Sequence, residues 1–424
     1  MSRTKGKFKT IALLLFILVF SLSACKDSSG TDIVVEKSRV NLIYPRDGSG
    51  GIQRMMTEIE DLRGDLIINA VEVAGDRDGY FRAYTAMLAA LQRQPDLLIV
   101  HDTWLAELAA KGLLMKLGDQ ELAELENYYF PGMVDAVTWQ GDKYGIPLWQ
   151  DMPLLYYRTD LLDSSPNSLN QLAKTAWEGI NNYSLSYGLI FPANNLHTRA
   201  SFMASLLISY NALPDFSKEP IVYNEANLLA ALKLLTSMIE EGTLSKDVLS
   251  MSIDDTRTVF ESGNSLFMLN WSYASRLIDR PESLLVGRAG TCPIPMASED
   301  LDQAGLSSGW VMATSSQTIQ ETGVKAIIGY LSANNNQRRM AMESGQMPAR
   351  AILYEDKSWQ EAINISSTLS TLMETGQPLK TGIRPENWTY LLSDLLVRAF
   401  NDASAEDLFN YFTSQIEPGP DSQG

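Results

Sequence analysis

YGIPLWQDMPLLYYRTDLL, residues Tyr144 to Leu162, changes character halfway along. Gly145 and Pro147 punctuate its start, as where a loop enters extended structure. Leu154 to Tyr157 form an apolar run too short for a typical helix and aromatic enough for a buried strand. Between them stand Trp149, Gln150 and Asp151, an indole beside an amide and a carboxylate, which together can grip a hydroxylated ligand. Taken alone the stretch has two readings: a solvated loop leading into a core strand, or a passage between two halves of the molecule that presents polar groups to a ligand.

Outward from that stretch, the start of the chain is a leader. Arg3, Lys5, Lys7 and Lys9 precede an unbroken apolar run from Ile11 to Phe20, followed by Ser21, Leu22, Ser23, Ala24 and Cys25. Basic residues, a short apolar core and a small-residue site make an export signal, and the run falls short of the roughly 20 residues that span a bilayer. Leu22-Ser23-Ala24-Cys25 resembles the lipobox of bacterial lipoproteins, which implies cleavage before Cys25, a lipid on its sulfur and an anchor on the membrane without crossing it. The mature protein then faces the periplasm or the cell exterior, and residues 25–37 form a flexible tether.

Cleavage removes 24 of 424 residues and leaves 400, enough for two large lobes. It also removes four positive charges, taking the formal charge from -17 to -21. An acidic chain of this kind lacks the basic face that nucleic acid or an anionic lipid surface requires. With Cys25 lipidated, Cys292 has no disulfide partner and reads as a small buried hydrophobe.

Along the mature chain strand and helix alternate: a strand at Val40 to Tyr44, a helix at 52–62, a strand at 66–73, a helix carrying Phe81, Tyr84, Leu88 and Leu91, and a strand at 97–100. This is the pattern of an α/β sheet with helices on both faces. His101, Asp102, Thr103 and Trp104 stand at the carboxyl end of that last strand, where open α/β sheets bind ligands. Asp102 or Thr103 equally suits a helix cap. Ser265 to Asn270 forms another buried strand, and Asn270 to Tyr273 another polar and aromatic tip. Later helices are centred on Val324 to Leu331, on Trp388 to Phe400 and on Leu408 to Ile416, and Glu417 to Gly424 reads as a disordered tail.

Catalytic and metal signatures are sparse. His101 and His197, the two histidines, make no zinc motif. A Ser-His-Asp triad would have to use one of them without any supporting elbow. Asp254 and Asp255 suit a helix start better than a glycosidase pair. No cofactor-binding motif is present, and the glycines of Pro45 to Gly51 make no phosphate loop.

Several segments together resemble the extracellular solute-binding proteins of family 1, the maltose-binding type that serves ABC sugar importers. They are YFRAYTAMLAALQRQPDLLIVHDTWLAELAAKGLLMKL at 80–117, the crossing segment itself, LFMLNWSYASRL at 266–277, SGWVMATSS at 308–316 and the region 323–350 ending in SGQMPAR. Arg158, where Asn is common, and Asn270-Trp271 without an intervening Gly depart from the pattern.

The resemblance implies a two-lobed α/β fold of the type II periplasmic-binding kind, each lobe a mixed sheet flanked by helices. It places one lobe at 38–149 plus 296–345, the other at 153–290 plus 350–416, and hinge crossings at 150–152 and 291–295. It further implies a monomeric carrier that binds a carbohydrate, delivers it to an ABC permease, and uses no cofactor. The cleft residues it implies are Asp47, Asp102, Trp104, Gln150, Asp151, Asn194, Trp271, Tyr273, Trp310, Arg384 and Trp388. Carboxylates and amides bond sugar hydroxyls, and indole faces cover pyranose C-H faces. For each tryptophan the alternative is core packing, and Asp47 alternatively stabilises a turn. A sensor or scavenger for a non-sugar solute and a surface-anchored glycosidase or lyase are the competing functions.

Overall fold

The computed structural model describes residues 37–416 apart from 48, 74–76, 90–94 and 363–366; the leader, Cys25, the tether up to residue 36 and the tail from 417 lie outside them. Eleven strands among the described residues build two sheets: β1 Ser38–Pro45, β2 Leu66–Val73, β3 Leu97–His101, β4 Ile146–Asp151, β5 Pro153–Arg158, β6 Tyr187–Ile190, β7 Ser265–Trp271, β8 Ala289–Cys292, β9 Gly305–Thr314, β10 Met347–Pro348 and β11 Gly376–Pro378. The first sheet runs β10-β4-β9-β3-β1-β2, with β11 joined to the start of β9; the second runs β8-β5-β7-β6. A small hairpin, Thr138–Trp139 with Asp142–Lys143, stands apart.

The first three strands are parallel, as their helical connections require. Helix Gly51–Leu62 buries Ile52, Met55, Met56 and Ile59, one stripe at helical spacing, against them. All of β3 is buried, which is why it reads as a continuous apolar run. β9 then returns antiparallel between β3 and β4, and β4 is antiparallel to it.

The stretch Tyr144–Leu162 is where the chain leaves one sheet for the other. β4 belongs to the first, β5 to the second, and Met152, fully buried, is the single residue between them. Its carbonyl accepts from Ser272 N at 2.9 Å, tying the passage to the end of β7. Pro147 has no N–H to give a ladder and sits at a bulge, where the register passes from Trp310↔Trp149 to Val311↔Pro147. The carbonyl of the skipped Leu148 is taken by Gln337 Nε2 at 2.8 Å. A Cβ on Gly145 would meet Val311 Cγ1 at 2.4 Å, so the strand entry requires glycine.

The return to the second set of elements comes later than residue 350, where it is expected from sequence. Arg350 Nη1 pairs with Glu124 Oε1 at 2.5 Å, Tyr354 meets Phe130 at 5.4 Å between ring centroids, and β11 pairs with β9. The described residues from 350 to 378 therefore lie with the first sheet. From helix Pro385–Ala399 onward the chain packs on the second set, through Arg199 Nε to Ser393 Oγ at 2.7 Å, Lys233 to Glu406 at 3.2 Å and Tyr223 against Phe412 at 5.5 Å. The cause is that the short turns and helices after β10 carry no periodicity long enough to name their partner sheet.

The two departures from the family pattern are structural. Arg158 forks onto Asp160 through Nε and Nη2 at 2.7 and 2.6 Å and gives Nη1 to Gly263 O at 3.2 Å. Asn270 gives Nδ2 to Ile253 O and Thr256 Oγ1, both at 3.1 Å, and accepts from Trp271 N at 2.8 Å. Cys292 is the one free cysteine among the described residues, and burial pushes its thiol up to about 11, so it carries no thiolate near neutrality. Among the described residues no helix is long and apolar enough to cross a membrane.

Candidate functional site

The turn that follows β3 stands between two cavities. On one side a cavity of about 690 Å3 is lined by Phe81, Arg82 and Trp104, by His197 and Arg199 of helix Leu196–Ser209, by Arg384 to Leu391, and by Tyr411 and Gln415. On the other a cavity of about 470 Å3 is lined by Asp102, Thr103, the hairpin around Gln140, Asp215, Lys218 and Pro378 to Gly382. Between them Thr381 Oγ1 donates to Thr103 O at 2.9 Å.

The turn itself is built from inside. Asp102 is buried; its Oδ1 accepts from Thr103 N at 2.7 Å and its Oδ2 from Gly309 N at 2.8 Å. The carboxylate thereby pins the turn to β9. His101 Nδ1 lies 3.0 Å from Asp102 Oδ1 and 2.8 Å from Thr103 Oγ1, and its Nε2 hydrogen-bonds Ser308 Oγ at 3.0 Å. Serine, histidine and aspartate are thus in file, an arrangement the sequence did not announce because Ser308 and His101 are 207 positions apart. Ser308 lies within a ten-residue strand and is 8% exposed, so the file serves as an internal tie between β3 and β9.

Trp104 is 2% exposed and centres an aromatic cluster: Phe81, Tyr84, His101 and Trp310 have ring centroids 5.5 to 5.7 Å from it or from one another. Trp310 is half-buried and also reaches Trp149 at 6.2 Å. Gln150 is buried, bonded through Nε2 to Ser307 Oγ, and its Oε1 lies 2.4 Å from where a Cβ on Gly309 would be. Asp151, half-buried, pairs in register with Ser308. Its charge helps burial to raise the Tyr156 and Tyr354 hydroxyls.

The remaining residues named from sequence fall in four places. Asp47 gives its carboxylate to its own turn, accepting from Ser49 N and Oγ at 3.0 and 2.6 Å and from Ile52 N at 2.9 Å. Trp271 is 6% exposed and lines a third, small cavity with Pro153, Phe191 and Phe202; Tyr273 lies against Gly345. Asn194 is exposed beside Asn195, whose side chain caps helix Leu196–Ser209. Arg384 and Trp388 line the 690 Å3 cavity with Trp104; Arg384 is exposed and Trp388 is half-buried, stacked on Phe216 at 4.8 Å and 14°.

Arg82, Arg199, Tyr390 and Tyr411 line that cavity without having been singled out from sequence, and His197, weighed there only for a zinc motif or a triad, joins them. Arg82 and Tyr411 sit on helices recognised by their apolar stripes, so their outward position was implicit in the same periodicity. No group of acidic, histidine or cysteine side chains capable of holding a metal occurs among the described residues.

Comparison with known proteins bears on the same elements. A family model described as bacterial extracellular solute-binding protein matches residues 63–366. A probable ABC transporter-binding protein of Deinococcus radiodurans is 24% identical over 365 residues, covering 83% of each chain. Among solved structures, the maltose-bound T. maritima MalE3 superposes with a TM-score of 0.78 at 22% identity, covering 89% of this chain and 98% of that one. A Thermotoga lettingae solute-binding protein bound with α-D-tagatose gives a TM-score of 0.72 at 18% identity over 90% and 99% of the two chains. One from Agrobacterium radiobacter with ribitol gives 0.73 at 16% over 90% and 98%. At these identities the solved structures establish the two-lobed α/β fold.

Proposed function

The chain belongs to the family of bacterial extracellular solute-binding proteins, and from that premise we propose that it captures a carbohydrate or polyol between its two lobes and delivers it to an ABC permease. The observation that carries the reading is the 690 Å3 cavity, in which Trp104 and Arg82 from beside the first sheet face Trp388, Tyr390 and Asn387 from a helix packed on the second. Aromatic faces cover sugar C-H surfaces while guanidinium and amide groups bond hydroxyls. Relatives described with maltose, tagatose and ribitol support the same ligand class.

In this reading one lobe carries the first sheet and the other the second, with Met152, residues 293–304 and residues 379–384 as the passages about which they close. Ligand favours closure only as far as it binds the closed form better. The protein works as a monomeric, lipid-anchored carrier held through Cys25 on the outer side of a membrane, without turnover of its ligand. Calorimetry against maltose, tagatose, ribitol and mannitol tests it. Saturable one-to-one binding with the sugar recovered intact supports a carrier. Released products would make the protein an enzyme, and absence of binding across a wider sugar panel would remove the carbohydrate assignment.

A further inference from the structure

Charge in the 690 Å3 cavity runs opposite to charge in the chain. The whole sequence holds 34 Lys and Arg against 51 Asp and Glu, yet the described residues lining this cavity include Arg82, Arg199 and Arg384 against Glu386 alone. Among the described residues neither Arg82 nor Arg384 takes part in an ion pair. They approach from different sides: Arg82 from helix Arg77–Ala89, packed beside the first sheet, and Arg384 from the start of helix Pro385–Ala399, packed against the second set of helices. Arg199 is held in place by Ser393 Oγ and the Ala193 carbonyl at 2.7 and 3.0 Å.

We infer that the solute carries an anionic group, a carboxylate or a sulfate ester on a saccharide, and that Arg82 and Arg384 close on it from opposite lobes. The inference rests on the carbohydrate-carrier reading and narrows its ligand class. Three physical points support it. A guanidinium presents a planar fork that matches oxyanions and bonds them more strongly than it bonds neutral hydroxyls. The remote acidic surface has little say, because the Debye length is only about 8 Å at physiological ionic strength. Arg384 makes no side-chain cap, so the first-turn amides of Glu386 and Asn387 add partial positive charge of the same sign. Trp388, half-buried on the scaffold that Trp104 helps to build, remains beside the cations to cover the sugar's C-H face, which a bare inorganic anion would not use.

The test is calorimetry of the full mature protein with trigalacturonate, with a galactose 4-sulfate disaccharide and with neutral galactotriose, each at 20 and 200 mM NaCl. At least one anionic probe is expected to bind about ten-fold or more tightly than the neutral one, with the preference shrinking at high salt. Arg82→Gln and Arg384→Gln should each remove most of that preference while leaving the melting temperature unchanged, since both side chains are exposed. Arg384→Lys should keep part of it, as a charge without the fork. Equal or tighter binding of galactotriose, or a preference unaffected by both glutamine variants, overturns the inference and leaves the carrier reading intact. Binding of none of the three, nor of any neutral sugar or polyol, overturns both.

Discussion

Two clusters of aromatic and charged residues face the same cavity, and they differ in what their polar atoms are doing. At His101 to Trp104 every oxygen of the carboxylate is engaged by backbone amides, and the indole is 2% exposed inside a ring of four aromatic neighbours. At Arg384 to Tyr390 the guanidinium is exposed and outside any ion pair among the described residues, Tyr390 is exposed, and Trp388 keeps one contact face on Phe216. The first is scaffold with a surface; the second is surface on a scaffold. A ligand site needs both, because groups aimed at a solute have to be held by groups that are not.

The largest effect expected from this contrast is at Trp104. Trp104→Ala removes a fully buried indole and should cost about 3 to 5 kcal/mol of stability, read as a large fall in the urea midpoint at unchanged m-value. A fall under about 1 kcal/mol would move Trp104 from scaffold to ligand surface. Next comes Asp102→Ala, which strands the amides of Thr103 and Gly309; buried donors left unmade cost about 1 to 3 kcal/mol each. Asp102→Asn, which keeps one carbonyl acceptor, should cost less. An Asp102→Ala protein of full stability that no longer binds sugar would invert the comparison.

At the opposite cluster, Trp388→Ala should do the reverse. It gives up an aromatic stack worth about 0.5 to 1.5 kcal/mol and with it one wall of the cavity, so affinity for whichever sugar binds should fall about ten-fold while the urea midpoint moves little. Trp271 belongs with the scaffold by this criterion. At 6% exposure, with its carbonyl accepting from Tyr156 Oη at 2.8 Å, its truncation should lower stability along with affinity, as core packing requires, whereas the expectation from sequence also makes it a cleft residue. A Trp271→Ala variant of unchanged midpoint would restore that expectation.

The elements that built this picture were legible where their signal is local. β2 runs over Leu66–Val73 as read, β3 follows its continuous apolar run, and the change of character inside Tyr144–Leu162 marks the passage between sheets. The polar and aromatic composition of the tips at Asp102 to Trp104 and Asn270 to Tyr273 was legible too. What each polar group bonds to was not, because the partners are far away in sequence: Gly309 for Asp102, Ser307 for Gln150, Thr103 for Thr381. A carboxylate that reads as a ligand group becomes a strand clamp through an amide 207 positions on, and no spacing rule encodes that. Asp47 is the exception, since its partners Ser49 and Ile52 are near enough for the turn to have been one of its two readings.

The smallest effect tests the same principle, that the partner decides what a carboxylate does, at a position outside both clusters. Asp160 accepts a fork from Arg158 at the far end of β5, and that hydrogen-bonded guanidinium holds its carboxyl below the usual carboxylate range. A depressed folded-state pKa means the unfolded chain takes up the proton first. The bond therefore adds stability above the unfolded value of about 3.9, and the contribution is lost as pH falls from there through the lower folded value. The Asp160 side chain is 29% exposed, so screening keeps the contribution to about 1 kcal/mol or less. Urea midpoints of the wild-type protein and Asp160→Asn should therefore differ at pH 7 and converge as pH drops below about 4. A difference that persists unchanged into acid would mean that Asp160 acts through shape rather than charge, and its fork with Arg158 would join the buried carboxylate of Asp102 as scaffold.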